Sequence, residues 1–279
     1  MKHTKLTSAA IAVALAAVLS TSAQAVPTTY NEGDLLIGFE QQNGSGGVTS
    51  SDYAVDLGAV SNFIGAPSNL TFNLNTADLV SAFGSGWANN TPAGSLVQWG
   101  VIGGSDGNAS ISVGGDTLKK NTLFLTKGEL TPGTQSTKPA TASNSTQGNI
   151  NGNIQQFALD FAGVSESSAN AAIVPSNDSI GWSASTPGSA AFGSSFAIEQ
   201  PASGSYTGPT DSKLDLYQLN NTTTTPGSTA ILLGDFSLNS SGVLTFEAAA
   251  VPEPASYALA ALAAVMLVVL RRRQVISTQ

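Results

Sequence analysis

Gly103-Gly104-Ser105-Asp106-Gly107 has the spacing of a G-x-S-x-G nucleophile elbow. That elbow needs a strand-turn-helix setting and a histidine base. The only histidine is His3, and a Gly-rich strand pattern at Ile111-Ser112-Val113 follows the motif. The pentapeptide therefore reads as a turn, and nothing in the spacing of the lysines supports a Ser-Lys site. Paired carboxylates for glycoside hydrolysis need a separation of about 5–10 Å, and Asp52 with Asp56 or Asp211 with Asp215 are the pairs to consider. Each is more simply a solvated strand edge or a turn. Asp106-Gly107-Asn108 and Gly114-Gly115-Asp116 are oxygen-rich loops of the kind calcium takes. They fit neither an EF-hand nor a glycine-rich nonapeptide repeat, and Asp-Gly and Gly-Asp are also ordinary turn dipeptides. Structural calcium is the one option these loops offer, and no cofactor is otherwise expected. Trp87, Trp99 and Trp182 could stack on sugar rings. Trp99 lies in an apolar strand and reads as core, while Trp87 and Trp182 sit in Gly/Ser/Asn-rich segments and are the better surface candidates.

Absences narrow the chemistry further. The chain of 279 residues has no cysteine, and no arginine between Val26 and Leu270. Without histidine or cysteine an exported domain cannot build a Ser-His-Asp or Cys-His site. It also lacks the nitrogen and sulfur ligands usual for zinc. Without arginine it lacks the bidentate clamp for phosphate and carboxylate ligands. Between residues 26 and 250 only Lys119, Lys120, Lys127, Lys138 and Lys213 oppose seventeen carboxylates, from Glu32 to Glu247. This stretch is more acidic than the whole chain, whose net charge is −8. Such a surface repels nucleic acid, which needs a basic stripe.

The elements that must position these residues are mostly strands. Leu35–Phe39, Asp52–Leu57, Leu96–Ile102, Thr122–Thr126 and Leu214–Leu219 are short apolar or alternating runs between turn signals. Ala230–Leu238 and Val243–Phe246 flank Asn239-Ser240-Ser241-Gly242, which reads as a β-hairpin. Thr76–Phe83 has a capping residue, helical apolar spacing and Gly84 as a stop. Ile154–Ala162 fits helix or strand. Residues 131–153 are almost all small and polar or proline, and read as a long flexible loop. Thr222–Thr225, followed by Pro226-Gly227, reads as a shorter loop. The expected fold is all-β, an antiparallel sandwich or jelly-roll-like domain with few short helices. A β-helix is the alternative, weakened by the missing repeat.

The two ends read as addresses. Lys2 and Lys5, the apolar stretch Leu6–Leu19 and the small-x-small site Ala23-Gln24-Ala25 make a secretory signal peptide over residues 1–25. Residues 26–250 are the exported β-rich domain. Residues 251–279 begin with the extended Val251-Pro252-Glu253-Pro254. An apolar run follows from Ala255 to Leu270, about 24 Å as a helix. Counted from Val251, it reaches the roughly 20 residues of a full span. Tyr257 sits where an interfacial aromatic belongs, and Arg271, Arg272 and Arg273 form the cytoplasmic stop.

This order of proline-rich motif, apolar helix and arginine-rich end resembles the PEP-CTERM sorting segment of exported bacterial proteins. Pro252, Glu253 and Pro254 match that motif position by position. The resemblance implies an exosortase-type membrane protease or transpeptidase as partner, with loss of the tail, in Gram-negative bacteria that make extracellular polysaccharide. Asp34–Phe39, Val97–Gly100 and Gly242–Phe246 also look like strings in uncharacterised exported proteins of this type, which implies no activity. The expectation is a non-enzymatic protein exported through the Sec machinery and cut by signal peptidase. Its C-terminal helix would hold it in the inner membrane before processing delivers it to the cell surface or outside. Its expected role is structural or adhesive, in contact with extracellular polysaccharide or biofilm. The alternative is a secreted carbohydrate-active hydrolase using paired carboxylates.

Overall fold

A computed structural model describes residues 28–43, 51–89, 95–105, 111–113, 116–118, 120–131, 133–139, 144–175, 181–185, 208–220 and 230–249. The signal segment, the sorting segment and the loop at Thr222–Thr225 lie outside the described residues.

Eleven strands are present among the described residues: β1 (Asp34–Asn43), β2 (Ser51–Ala59), β3 (Leu70–Asn73), β4 (Ser95–Gly104), β5 (Ile111–Val113), β6 (Asp116–Leu118), β7 (Leu123–Gly128), β8 (Ala171–Pro175), β9 (Lys213–Leu219), β10 (Ile231–Leu238) and β11 (Val243–Ala248). Three helices accompany them: α1 (Thr76–Phe83), α2 (Asn144–Phe161) and α3 (Trp182–Ser185). Nine strands join edge to edge in the order β3-β11-β10-β9-β7-β4-β1-β2-β8, all antiparallel, while β5 and β6 form a separate ribbon. The mostly β, antiparallel expectation holds. The arrangement is one continuous curled sheet, where the sequence suggested two stacked sheets.

The strands form where they do because their side chains alternate between two buried environments. On the inner face Ile37 and Phe39 of β1 pair across with Val55 and Tyr53 of β2 and with Val101 and Trp99 of β4. These join Leu214, Leu216, Phe236, Leu244 and Phe246 in one core. Curling brings the two ends of the sheet toward a common centre, and α1 packs there through Leu79 and Phe83. Phe63 ties the far end together: its ring lies 5.8 Å from Phe72, 5.8 Å from Phe236 and, edge-on, 5.1 Å from Phe246. Phe39 is the second hub, stacked at 6.2 Å on Trp99 and tilted at 5.8 Å to Tyr53.

The outer face is built differently. Register places Gly100, Gly38, Ala54 and Ala172 in one row across β4, β1, β2 and β8. The row leaves a shallow strip with almost no side chains, and Trp182 of α3 lies flat on it. A Cβ at Gly38 would fall 1.9 Å from the Trp182 ring. The Phe157 ring of α2 meets Trp182 edge-on at 5.5 Å. Helix α2 turns Ile150, Ile154, Phe157, Ala158 and Phe161 onto this face, all buried. Gly104 gives it room, since a Cβ there would meet the Asn151 side chain at 2.0 Å.

One expectation is corrected here and two alternatives are settled. Residues 144–153, expected inside the flexible loop 131–153, are the first turns of α2. Their glycines and asparagines argue against helix individually, but the stripe from Ile150 to Phe161 recurs at helical spacing and buries against the sheet. The open question at Ile154–Ala162 is settled as helix as far as Phe161. Trp87 and Trp182, better surface candidates than Trp99 but more simply read as capping the end of the core, are 4% and 0% exposed and belong to the core. By contrast the hairpin at Asn239–Gly242 forms as expected, with Asn239 Oδ1 accepting from the amides of Ser241 and Val243. Helix α1 is capped by Asn75, whose Oδ1 accepts from the amide of Ala77 at 2.9 Å, and it ends at Gly84.

Two glycine substitutions should therefore move stability in opposite directions. Gly38→Ala is expected to cost about 3 kcal/mol through overpacking against Trp182. That corresponds to a fall of roughly 6–12 °C in the thermal midpoint, with a red-shifted tryptophan emission. Gly152→Ala, in α2 with nothing within 4 Å of the new Cβ, should gain about 0.5–1 kcal/mol from helix propensity. Thermal unfolding of the two variants followed by circular dichroism checks both signs.

Candidate functional site

Ala23, Ala25, Pro252, Glu253, Pro254, Arg271, Arg272 and Arg273 all lie outside the described residues, as do Asp106, Gly107, Asn108, Gly114 and Gly115. What the structure places is the set of acids, tryptophans and the serine.

Ser105 sits just past the end of β4, fully buried, and its Oγ accepts from the amide of Thr122 at 2.9 Å. Strand β5 comes next among the described elements, so the strand-to-helix setting of a nucleophile elbow is not formed there. Trp99 is core as expected, with Nε1 donating to the carbonyl of Pro209 and to Ser212 Oγ. With all three tryptophan rings buried, no sugar-stacking platform is formed by them. Asp116 is the first residue of β6, and only Gly114 and Gly115 separate it from Val113, its register partner.

The carboxylate pairs separate on inspection. Asp52 and Asp56 both face outward from β2, four residues and about 13 Å apart, too far for a glycosidase pair. Asp52 receives the amide and hydroxyl of Ser183 on its Oδ2, at 2.9 and 2.7 Å, and so fastens α3 to the sheet. Burial pushes its carboxyl up to about 6, against the opposing pull of the Ser183 bonds. Asp56 accepts from the amide of Gly58 at 2.7 Å, and burial, reinforced by neighbouring Asp34, raises it to about 6. Asp34 in turn receives the Asn31 amide and side chain. The Tyr30 phenol beside them is pushed well up, first by burial and then by the charge of Asp34.

The second pair is also divided. Asp211 is exposed in a turn, where it accepts from the amide of Gly208. Asp215 of β9 is buried, and it holds the segment 133–139 by accepting from the Ser136 amide. The Tyr217 hydroxyl donates to the Ser136 carbonyl at 2.9 Å, adding a second tie. Glu129 accepts from the Gly133 amide, closing the same segment at its start. Burial raises both Asp215 and Glu129 above the usual carboxylate range. Lys213 lies 3.1 Å from Asp235 and 3.9 Å from Glu247, and that hydrogen bond to Asp235 raises its own pKa.

A pair the sequence reading missed lies on β1 and β2. Glu40 and Asp52 stand one residue beyond the Phe39–Tyr53 register pair, on the outer face, and each is 1% exposed. Gln98 is the cross-strand partner of Glu40 on β4 and is 5% exposed. Cβ atoms so placed are about 5 Å apart. A sugar ring does not reach carboxyl groups this deeply covered, so the pair belongs to the interior under α3. The signal for it was alternation: Phe39 and Tyr53 facing the core send Glu40 and Asp52 to the opposite face. Among the described residues no three Asp, Glu, His or Cys side chains converge as a metal-binding group.

Asp52, Asp215 and Glu129 thus fasten a helix and a loop segment to the sheet. A distinct functional signal lies past Ala249. Residues 250–274 match the family described as the PEP-CTERM protein-sorting motif. The chain carries a PEP-CTERM sorting motif. It is therefore an exported protein sorted at its C-terminus, and the motif implies an exosortase-type processing partner. No curated protein and no solved structure matches the chain. Among the described residues no helix is long and apolar enough to cross a membrane, and the expected span Ala255–Leu270 lies outside them.

The buried acids set a direction for pH dependence. An acid with a folded-state pKa above its unfolded value stabilises fully below the unfolded pKa, and that contribution is lost as pH rises through the folded pKa. For Asp52 the window runs from about 4 to about 6. Stability should fall across it, with Asp52 contributing about 3 kcal/mol, and level off above. Asp52→Asn should make the fall shallower in urea titrations at fixed pH steps; equal slopes in the two proteins would contradict the burial account.

Proposed function

We propose that this is a non-enzymatic exported protein of the cell surface or extracellular matrix, with a structural or adhesive role linked to exopolysaccharide or biofilm. The carrying observation is the sorting motif at residues 250–274. In this reading Sec export and signal peptidase cleavage after Ala25 precede membrane retention by the Ala255–Leu270 helix. An exosortase-type protease then cuts near Pro252-Glu253-Pro254, and Arg271–Arg273 remain behind.

The outer face of the sheet supports an adhesive role. Among the described residues, helices α2 and α3 cover one half of it, and the segment 133–139 covers Asp215 on the other. The other half carries Thr71, Thr245, Ser237 and Lys213 in one register row and Glu247, Asp235 and Asp215 in the next. Thr71, Asn73 and Glu247 are exposed. Hydroxyl, amide and carboxylate groups on a regular sheet match the hydrogen-bonding needs of a hydrated neutral polymer better than those of an anion. The domain's acidic charge works against nucleic acid in the same way. A structural calcium at Asp106–Asn108 or Gly114–Asp116 is part of this proposal, stabilising connections next to the β5–β6 ribbon.

Replacing both Pro252 and Glu253 by alanine is expected to leave the precursor in the membrane fraction with Gln279 intact. The unaltered protein should end near Pro252 in the extracellular fraction, as read by mass spectrometry of its C-terminus. Release of the double variant at the normal rate would refute processing at the motif. Calcium is checked separately: EDTA should lower the thermal midpoint by several degrees, and an unchanged midpoint assigns both loops to plain turns.

A further inference from the structure

The chain enters the sheet through a turn at Asn31–Asp34, where the Asp34 amide donates to the Asn31 carbonyl. Asp34 opens β1, Asp56 lies on β2 opposite Leu36, and the register shifts between Leu35 and Leu36. The two aspartates are diagonal neighbours on the outer face, and their carboxyls come within hydrogen-bond reach of each other. Each commits one oxygen to the backbone. Asp34 Oδ2 accepts from the Asn31 amide at 2.9 Å and from Asn31 Nδ2 at 3.1 Å, and Asp56 Oδ1 accepts from the Gly58 amide at 2.7 Å. Among the described residues no N–H or hydroxyl donates to the other oxygen of either. Asp34 is only 4% exposed, so its free oxygen is out of reach of bulk water.

The Tyr30 hydroxyl points to what belongs there. Its oxygen is buried and has no hydrogen-bond partner. The charges of Asp34, Asp56 and Glu32 act on it, yet none of these carboxylates bonds to it. Every charged group acting on Tyr30 and Asp56 is an acid, and no lysine offsets them. A buried polar atom without a partner calls for a water or an ion. Two carboxylates so close are costly to ionise together unless positive charge lies between them. Calcium supplies it. Its oxygen ligands stand about 2.3–2.6 Å from the ion and so roughly 3 Å from one another, which is the reach between Asp34 and Asp56. Asp56 is half-buried, which lets water complete the shell. Magnesium keeps its waters and demands near-octahedral angles, so two aspartates on different strands with a neutral phenol favour calcium.

We propose that Asp34 Oδ1, Asp56 Oδ2 and the Tyr30 hydroxyl hold a calcium ion that fastens the entry turn to the start of β1 and the end of β2. The site takes two acids, in keeping with the absence of any three-acid group among the described residues. It is separate from the loops at 106–108 and 114–116. Two carboxylates place its affinity with the weak sites of extracellular modules, about 0.1–1 mM. Binding does not depend on processing at the sorting motif.

The test is terbium luminescence on the full chain in dodecylmaltoside micelles, excited through tyrosine, with calcium as competitor. Asp56→Asn keeps an oxygen for the Gly58 amide and so keeps the fold, which far-UV circular dichroism verifies. It should weaken both ions at least about tenfold through loss of a charged ligand. Tyr30→Phe should remove most of the sensitised emission and leave calcium affinity nearly unchanged. Calcium should also slow amide exchange at residues 30–34 of the unaltered protein relative to EGTA. Equal affinities in the unaltered and Asp56→Asn proteins would overturn the site. Exchange at 30–34 indifferent to calcium would overturn it too, leaving water alone beside Tyr30. Emission kept in Asp56→Asn but lost in a variant carrying Asp106→Asn and Asp116→Asn would give the calcium to the loops instead.

Discussion

The row of Gly100, Gly38, Ala54 and Ala172 across four neighbouring strands is the constraint on which the rest of this fold depends. A curled sheet with a full inner core still has a second face, and strands with large side chains on both faces would hold a covering layer about 10 Å away. Removing side chains along one row lets Trp182 approach the backbone itself. That contact then orders what surrounds it. Phe157 packs on Trp182, α2 follows Phe157, and Ser183, the residue after Trp182, reaches the carboxylate of Asp52. Stability without disulfides comes from these two cores, one inside the curl and one beneath the helices. The small residues cost backbone entropy in the strands; the buried indole and the α2 stripe offset it.

Near this row Asp52 lies inside so acidic a protein, and other acids are buried away from it. Burying a carboxylate is unfavourable unless hydrogen bonds satisfy it. Four of the buried acids have a fastening role: Asp52 holds α3, Asp215 and Glu129 hold the segment after β7, and Asp78 receives the hydroxyls of Ser167 and Ser168 near β8. Raised carboxyl pKa values in clefts often mark catalysis. In this molecule they accompany depth and local anchoring, with desolvation first among the causes for Asp52, Asp56, Glu129 and Asp215.

Much of this was legible in the chain, and the parts that were not share a reason. Leu35–Phe39 and Leu214–Leu219 announced themselves as strands because local aliphatic runs suffice, and Asn239–Gly242 because its turn chemistry is local. Strand β3 and strand β8 were not read: Leu70–Asn73 is only four residues, and Ala171–Pro175 has little bulk until its partner Asp52–Val55 is known. Helix α2 was half missed because Gly148 and Gly152 dilute its first turns, and its apolar stripe gains meaning only against Gly104 of another strand. The Glu40–Asp52 pair was invisible for the same cause, since it arises from register between strands. The sorting motif was legible in full because its signal is an order of residues along the chain and needs no folding partner.

That difference bears on how the molecule divides its work. A sorting signal read by a membrane enzyme must be recognised in many unrelated cargo proteins, so its information has to be local and linear. The domain before it is free to vary, provided its last strand delivers the signal at an accessible edge. β11 meets this condition: it lies next to β3, the end strand of the described sheet. Had the chain ended on β1 or β4, deep in the strand order, the tail would have had to cross a helix-covered face or the rim of the aromatic core. Both described cores are complete by Ala248, so removal of the tail would take no described strand from the sheet.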